Sequence, residues 1–228
     1  LKKNYLNIKK NKVFLGDYLD KKLIKYILLK KKIDIVFHTG AVTQVLDAIQ
    51  DPEYTFHNNI NGTLNFLNII RETNKKIIFI YSSSDKAYGE VGNKSYTEST
   101  CLNSEFPYDV SKSCADMICQ SYAKTYNLKV GILRCANLYG PGDLNKNRLI
   151  NGFIISVIKN ETFKIRSSGK LVRDYLYISD AVNAYYLTMK SLIKGKKNLR
   201  IYNVGSKFNM NVFQMINKIS KIIKKKTY

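Results

Sequence analysis

The sequence predicts an α/β fold built on a parallel sheet. The runs at residues 76–89 and 128–143 both begin apolar and end abruptly in small and polar residues, which is typical of buried parallel strands that empty into loops. Stretches with helical spacing alternate with these strand-like runs. A chain of 228 residues with 45% hydrophobic residues also holds enough apolar material for a sizeable core.

The elements follow one another as strand, helix, strand. Helices are predicted at residues 21–31, 52–73, 107–126, 149–159, 179–193 and 211–223. Strands are predicted within residues 33–41, 76–89, 128–134, 163–166 and 171–177. The last two strands and the helix from Leu149 are expected to form part of a smaller lobe interwoven with the sheet, so that the lobe boundary near Gly140 is not a clean cut in the chain.

Polar side chains gather where the predicted strands end. In open α/β sheets ligands bind at the carboxyl ends of the strands. One such end carries Ser83, Ser84, Asp85 and Lys86, and a second leads into the loop at residues 135–143. The sequence therefore predicts a crevice lined by these two loops.

Tyr108 and Lys112 stand four residues apart in the first turns of a predicted helix, so both side chains project from one face. A phenol with a pKa near ~10 is a poor base at neutral pH, whereas a neighbouring ammonium favours the phenolate. The pair is therefore a candidate proton-transfer device. A solvated helix pair is the alternative interpretation, and the neighbouring loops argue against it.

Together these residues resemble the extended short-chain dehydrogenase/reductases that act on nucleotide sugars, the NAD-dependent epimerase/dehydratase family. The Ser84-Asp85-Lys86 triplet, the Tyr108 and Lys112 spacing and the segment 173–177 are most similar to sugar-nucleotide 4,6-dehydratases, particularly the CDP-glucose type. Ser84 stands where the family usually has Thr, and Lys86 where other 4,6-dehydratases have Glu. The resemblance implies a Rossmann-like parallel sheet with helices on both faces and a small substrate lobe.

The resemblance also implies a reaction. Tyr108 would take the proton of the sugar 4-hydroxyl while NAD oxidises C4, with Lys112 lowering the phenol pKa and holding the nicotinamide ribose. Ser84 would hydrogen-bond the same sugar oxygen. Lys86 would remove the C5 proton, and Asp85 would donate a proton to the departing 6-hydroxyl. The product would be a 4-keto-6-deoxy sugar nucleotide with no net redox change.

The cofactor implied by the resemblance is NAD. Its site would comprise Asp17, Tyr18, Thr39, Gly40, Ala41, Asn59, Ser82, Ser83, Tyr108 and Lys112. Asp17 resembles the residue that reaches the adenine amino group, and Asn59 is expected to be a structural hydrogen-bonding residue. His38 is expected to be a packed strand-end residue and no catalyst.

The substrate implied by the resemblance is a nucleotide-diphosphate sugar. Asn137 resembles the residue that begins the sugar-nucleotide site, and Arg173 the arginine that clamps the diphosphate. Arg148 and Arg166 lie in the segment where the family binds the nucleotide. A homodimer or higher homo-oligomer is expected on the same ground. Contacts to the base and hexose come from variable loops, so these groups stay open.

One part of the family's pattern is absent from the sequence. The glycine-rich turn that cradles the cofactor pyrophosphate has no match in residues 1–35, and no glycine precedes Gly16. The sequence is therefore expected to be an internal fragment without the N-terminal βαβ unit. Residues 1–140 would be a partial NAD-binding domain. Residues 141–228 would be mostly substrate lobe, with returning sheet elements at 174–204 and a truncated C-terminus.

Composition bounds the location and the partners. No stretch approaches the ~20 apolar residues of a membrane span, and no signal peptide is evident. The four cysteines show no metal-type spacing with the two histidines, so we expect no metal and a reduced, cytoplasmic setting. The net charge of +21 suggests nucleic acid as a rival partner. However, the excess lies in residues 1–35 and 190–228 without a nucleic-acid motif, so no nucleic acid and no membrane are expected as partners.

Three hypotheses remain open at this point. The first is a 4,6-dehydratase. The second is a 4-epimerase or decarboxylase of the same family, in which Lys86 merely lines the site. The third is a truncated relative that keeps the fold as a non-catalytic binding protein.

Overall fold

The computed structural model describes residues 13–90 and 95–224. Within them the chain divides into two compact units. The first draws its described residues from Leu1–Cys135 and Ala184–Asn203, and the second from Ala136–Asn183 and Val204–Tyr228. The predicted lobe boundary near Gly140 and the returning segment 174–204 stay predictions.

The first unit is a sheet with helices. Its strands and helices are α1 (Lys21–Lys30), β1 (Ile35–His38), α2 (Val45–Gln50), α3 (Pro52–Phe56), a π-helical turn (His57–Asn61), α4 (Gly62–Thr73), β2 (Ile78–Ser84), a 3₁₀ helix (Asp85–Tyr88), α5 (Pro107–Tyr126), β3 (Val130–Cys135), the later part of α7 (Ile178–Lys194) and β6 (Leu199–Val204). Helix α3, the π-helical turn and helix α4 follow one another without a break, in agreement with the helix predicted at 52–73.

The sheet orders its strands β1-β2-β3-β6. β1 and β2 pair in parallel with His38 beside Tyr81, and β2 and β3 pair in parallel with Ser84 beside Cys135. The carboxyl ends of β1, β2 and β3 therefore lie at one edge of the sheet. This arrangement confirms the predicted parallel α/β sheet.

Helices cover both faces of this sheet. On one face Phe79 and Tyr81 pack with Ala115 and Cys119 of α5. On the other face, a Cβ added at Gly131 of β3 would lie 2.6 Å from Thr188 of α7. The absent side chain thus lets α7 approach the strand closely. Because neighbouring residues of a strand point to opposite faces, the two helices lie on opposite sides.

The sequence sets the ends of the long helix α5. Pro107 stands in its first turn, where a fixed φ suits the helix and the missing N–H would have no intrahelical partner. At the other end Asn127 takes a left-handed conformation with φ of 60°, a common helix stop. This helix was predicted at 107–126, and its two termini place Tyr108 in the first turn.

The second unit is smaller and has its own core. Its elements are β4 (Asn137–Tyr139), α6 (Leu149–Lys159), β5 (Val172–Tyr177), the beginning of α7, β7 (Asn209–Asn211) and α8 (Val212–Lys224). The strands form a sheet in the order β4-β5-β7. Tyr175, Met215 and Ile219 are buried together, with residues of α6 packed against them.

Two features differ from the sequence predictions. The strand predicted at 163–166 is wrong: Phe163 and Ile165 are half-buried in alternation, but no neighbouring strand pairs with them. Phe163 packs instead against Phe153 of α6, with ring centroids 5.5 Å apart. The short helix α2 was not predicted, because its six residues bury only Ala48.

The prediction of a missing glycine-rich unit falls partly on residues 1–12, which lie outside the described residues. Between residue 13 and β1 the structure has helix α1 and no strand. In the described parts of the chain, 13–90 and 95–224, no helix is long and apolar enough to cross a membrane.

Candidate functional site

The Ser84-Asp85-Lys86 triplet stands where β2 turns into the 3₁₀ helix. Ser84 is the cap of that helix, because its Oγ accepts a hydrogen bond from the Lys86 backbone N–H at 3.2 Å. The same hydroxyl donates to Asp85 Oδ1 at 3.0 Å. All three side chains are half-buried. The strand end therefore presents a hydroxyl, a carboxyl and an amine together.

Helix α5 brings Tyr108 and Lys112 to the same part of the first unit. It packs against both β2 and the 3₁₀ helix. Tyr108 is half-buried and lies close enough to Tyr81 to interact with it electrostatically. Lys112 contacts the same ring, with its Nζ 5.1 Å from the Tyr81 centroid. The two predicted catalytic side chains of α5 thus share one aromatic neighbour.

Lys112 is buried, with 4% of its surface exposed. Its Nζ donates a hydrogen bond to the Ser82 carbonyl at 2.7 Å. Burial lowers the pKa of Lys112 to about 8, although the nearby thiols of Cys135 and Cys119 act in the opposite direction. The amine is consequently an ammonium below that pH and yields its proton more readily than an exposed lysine does.

Asn59 ties the loop after β1 to the helix that carries Tyr108. Its Nδ2 donates to Ser111 Oγ at 2.8 Å and to the Val42 carbonyl at 3.1 Å, and its Oδ1 accepts from the Val42 N–H at 2.7 Å. Ser111 Oγ in turn donates to the Tyr108 carbonyl at 2.7 Å. Asn59 lies in the π-helical turn, a feature frequent at functional sites. Asn59 is thus a structural hydrogen-bonding residue, and its place beside the cofactor stays a prediction.

His38 is a core residue, as predicted. Its ring is 4% exposed and forms a 3.1 Å hydrogen bond between Nε2 and Thr63 Oγ1. The rings of Phe66, Phe79 and Tyr81 lie around it. Burial, followed by the charge of Lys112, lowers the pKa of His38 to about 4, so the ring is neutral at physiological pH.

The turn at Asp17 and Tyr18 lies beside the loop after β1. Asp17 is exposed, and its Oδ1 accepts from the Leu19 N–H at 2.8 Å. The Tyr18 ring fills the space beside Gly40 and Gly62, where an added Cβ would lie 3.2 Å and 2.2 Å from its ring. The buried Tyr18 hydroxyl has no hydrogen-bond partner within the described residues. A ligand polar group could satisfy this hydroxyl.

The remaining predicted cofactor residues divide into two groups. Thr39 and Gly40 are exposed and Ala41 half-buried directly after β1, and Ser82 is half-buried near the end of β2. These small residues leave space at the edge of the sheet. The Ser83 side chain points elsewhere: it is buried, and its hydroxyl donates to Asp116 Oδ2 at 2.7 Å. The backbone of Ser83 is therefore the part of this residue that a ligand could contact.

The sequence predictions missed a buried ion pair under the site. Asp116 of α5 and Arg134 of β3 are 0% and 2% exposed and are joined by two hydrogen bonds of 2.9 Å. Arg134 also donates to the Tyr88 hydroxyl at 2.7 Å. The signal in the sequence was Arg134 at the end of the apolar run 128–134, because a buried charge needs a partner.

The four predicted substrate residues belong to the second unit. Arg148 forms a 3.4 Å ion pair with Asp143. Arg166 donates to Asn147 Oδ1 at 2.6 Å, directly beside Arg148 in the chain. Their side chains are exposed, and both guanidinium groups attach to the same short stretch of chain.

The other two lie on neighbouring strands of that unit. Asn137 Nδ2 donates to the Asp174 carbonyl at 3.2 Å. Arg173, half-buried on β5, donates to the Val172 carbonyl at 3.2 Å. Asn137 and Arg173 are therefore both held by the backbone of β5.

No group of three or more His, Cys, Asp or Glu side chains among residues 13–90 and 95–224 is arranged to hold a metal ion. All four cysteines, Cys101, Cys114, Cys119 and Cys135, are free thiols.

Comparison with known sequences supplies a family. The sequence model described as the NAD dependent epimerase/dehydratase family matches residues 2–205. The chain is 34% identical to dTDP-D-glucose 4,6-dehydratase of Dictyostelium discoideum, covering 92% of this chain and 50% of the relative. It is 35% identical to the enzyme of the same name from Homo sapiens, covering 92% and 58%. The chain thus spans about half the length of these curated relatives.

Solved structures with the same fold include an epimerase and a dehydratase. UDP-glucose 4-epimerase of Thermotoga maritima, solved with UDP-glucose, has a TM-score of 0.85 at 28% identity, covering 95% of this chain and 70% of that one. dTDP-glucose 4,6-dehydratase of Bacillus anthracis, solved with NAD, has a TM-score of 0.80 at 25% identity, covering 92% and 63%.

Proposed function

The chain belongs to the NAD dependent epimerase/dehydratase family, and from this premise we propose that the full-length protein is a nucleotide-sugar 4,6-dehydratase. The observation that carries the proposal is the Ser84-Asp85-Lys86 triplet on the 3₁₀ helix against which α5 packs. A 4-epimerase needs only the oxidation that Tyr108 and Lys112 would serve. A dehydratase needs an additional acid and base, and Asp85 and Lys86 supply both.

NAD suits the residues of the first unit. Lys112 and Tyr108 would face the nicotinamide ribose, and the small residues Thr39 to Ala41 leave room for the backbone to approach the cofactor. The buried Tyr18 hydroxyl, which has no hydrogen-bond partner within the described residues, supports a ligand contact at the end where the adenine is expected. NAD, when bound, supplies the oxidant for C4 and returns the same hydrogen later in the reaction.

The first step depends on Tyr108. Its phenolate would accept the proton of the sugar 4-hydroxyl, and the Lys112 ammonium below pH 8 favours that phenolate. Ser84 would donate to the same sugar oxygen. A serine hydroxyl has one proton, and Ser84 donates it in a hydrogen bond to Asp85 Oδ1. For Ser84 to donate to the sugar instead, substrate binding would have to rotate its hydroxyl away from the Asp85 carboxyl.

The second step depends on Lys86 and Asp85. A 4-keto group acidifies the C5 proton, and Lys86 would be the base that removes it. The C6–O bond breaks as protonated Asp85 donates to the leaving oxygen, so one water molecule departs and a C5–C6 double bond forms. The hydrogen taken from C4 is then added at C6, and a proton returns to C5. The starting and final redox states are equal.

The substrate would be a nucleotide-diphosphate sugar. Arg148, Arg166 and Arg173 of the second unit offer guanidinium groups that suit a diphosphate, and Asn137 would border the sugar. The curated relatives named above are dTDP-glucose enzymes, while the structural neighbours include a UDP-glucose enzyme. A homo-oligomer, a cytoplasmic location and the absence of nucleic-acid and membrane partners stay predictions.

Lys86→Ala tests the proposal directly. With the protein expressed at its natural length, the variant should reduce formation of the 4-keto-6-deoxy product by ~10²-fold or more, the usual contribution of a general base. Oxidation at C4 should still occur in this variant, and the absorbance of the reduced cofactor measures it. Lys124→Ala, an exposed lysine on α5, is the matched control and should leave both steps unchanged.

Two outcomes would speak against this function. If wild-type protein interconverts the C4 epimers of a nucleotide sugar and makes no 6-deoxy product, the epimerase alternative is correct. If neither reaction occurs although NAD binds, the dehydratase proposal is wrong and the non-catalytic alternative is favoured.

A further inference from the structure

A tyrosine that the sequence did not single out contacts the proposed acid. The half-buried Tyr96 directs its hydroxyl toward Asp85 Oδ2, at an O···O distance of 3.5 Å. Ser84 Oγ donates to the other oxygen of the same carboxyl, Oδ1, at 3.0 Å. The Asp85 carboxyl thus has a hydroxyl donor at each oxygen, one from its own chain segment and one from a distant loop.

Stacking fixes the position of the Tyr96 ring. It lies on the buried ring of Tyr88, with centroids 4.4 Å apart and an interplanar angle of 20°. Tyr88 is itself held from two sides. Arg134 donates to its hydroxyl at 2.7 Å, and that hydroxyl donates to Asn203 Oδ1 at 2.6 Å. The surface on which Tyr96 rests therefore has little freedom to move.

The backbone around Tyr96 is anchored by the same groups. Arg134 donates to the Glu98 carbonyl at 3.1 Å, and the Asn203 backbone N–H donates to Glu98 Oε1 at 2.8 Å. Asn203 Nδ2 also reaches the Tyr96 carbonyl at 3.5 Å. Arg134 is fixed in turn by the buried carboxylate of Asp116. The loop carrying Tyr96 is thereby fastened to β3 and β6.

A tyrosine that served only to fill space would need the stacking but no hydroxyl. Phenylalanine could make the same ring contact with Tyr88. The direction of the Tyr96 hydroxyl toward Asp85 is consequently the feature that points beyond packing. The 3.5 Å separation is long for a hydrogen bond, but catalytic hydrogen bonds often shorten when the substrate is bound.

We infer that Tyr96 is a positioning residue for Asp85, holding the carboxyl in the orientation from which its proton reaches the leaving oxygen of the sugar. This inference rests on the proposed dehydratase function. When substrate binding turns the Ser84 hydroxyl toward the sugar, the Tyr96 hydroxyl stays with the Asp85 carboxyl. Its effect falls on elimination and not on oxidation at C4, because Tyr108 and Lys112 carry out the earlier step.

Tyr96→Phe tests the inference, because it keeps the ring and removes the hydroxyl. In the natural-length protein the variant should lower the rate of elimination about tenfold, since misoriented groups lose much of their catalytic effect. Cofactor reduction and the KM for the nucleotide sugar should stay within about twofold of wild type. Tyr202→Phe, on β6 beside Asn203, is the matched control and should change none of these values.

A second measurement does not depend on turnover. In protein labelled with ¹³C at aspartate side chains, the Asp85 carboxyl resonance at one fixed pH should move in Tyr96→Phe and stay in place in Tyr202→Phe, because only the former loses a donor. An unmoved resonance overturns the inference even if the protein proves to be an epimerase. So does an elimination rate equal to wild type, or an equal loss of oxidation and elimination.

Discussion

Lys112 is an amine that the fold buries although burial disfavours its charge. Its folded-state pKa of about 8 lies below the ordinary value of 10.5. Between these two values the unfolded chain binds more protons than the folded chain, so stability rises with pH across this window. Below pH 8 both states are protonated, and the full cost of burying the ammonium is present. The side chain that activates Tyr108 therefore destabilises the folded protein at neutral pH.

Lys112→Met should stabilise the protein at pH 7 while abolishing the proposed oxidation. Removing the buried charge is worth about 1.4 kcal/mol per pKa unit, less the hydrogen bond to Ser82, so a gain of roughly 1–3 kcal/mol is expected. Urea unfolding at pH 7 and pH 10 measures it. The gain should shrink at pH 10, where the wild-type amine is neutral in the folded state.

The matched control for this substitution is Lys124→Met, an exposed lysine on the same helix, which should show no pH-dependent difference. A Lys112→Met protein that is less stable than wild type by the same amount at both pH values would contradict the account. In that case Lys112 would contribute through its packing and hydrogen bond, and its charge would not oppose folding.

Residue spacing and chemistry predicted part of the site. Tyr108 and Lys112 could be paired because helical residues four apart share a face. His38 could be placed in the core because it ends an apolar strand. Tyr96 could not be connected to Asp85, because that contact depends on how Tyr88 and Arg134 hold the loop. Contacts between side chains far apart in sequence leave no periodic signal.

Among the elements, α5 and β3 are joined by the buried pair of Asp116 and Arg134. Gln120 and Ser83 also donate to the carboxylate, at 2.7 Å each. The pair thus links α5, the helix that carries Tyr108, to β3. Such a buried pair gives the two elements a fixed register, whereas its net effect on stability is small compared with that of apolar residues.

Removing one partner of this pair should be severe. Asp116→Asn and Arg134→Met are each expected to cost about 3–5 kcal/mol in the free energy of unfolding, because a buried charge loses its counter-charge. The double variant Asp116→Asn with Arg134→Met should lose less than the sum of the two, since neither charge then remains. Denaturant unfolding of all three variants measures these differences.

Lys159 and Glu161 form a 3.8 Å ion pair in which both side chains are more than half exposed, and they provide the control. Lys159→Met should leave the free energy of unfolding nearly unchanged, as is usual for ion pairs at the surface. If Asp116→Asn proved as mild as this control, the pair would not be the link between α5 and β3 described above.

The elements were predictable to the extent that their periodicity was strong. The helices at 21–31, 107–126 and 149–159 are present within one residue of the expected bounds. The strand at 163–166 failed because alternation alone does not supply a pairing partner. The π-helical turn at His57–Asn61 could not be predicted, because it interrupts a helix whose sequence pattern continues through it.

For the whole molecule, the parallel order of β1, β2 and β3 brings distant loops together. The carboxyl ends of parallel strands meet at one edge, which is why the polar residues after each strand could be predicted to share a crevice. The division into two units could not be located to the residue, because α7 begins in one unit and ends in the other. The sequence pattern of α7 is helical in both units, so it does not mark the residue at which the chain passes from one unit to the other.

The measurement that bears most directly on the account is the fate of deuterium placed at C4 of a nucleotide-linked glucose. With the protein at its natural length, the account predicts that the label appears at C6 of a 4-keto-6-deoxy product. That outcome requires both the oxidation served by Tyr108 and Lys112 and the elimination served by Asp85 and Lys86. Label found again at C4, with the configuration there inverted and the 6-hydroxyl retained, would contradict it.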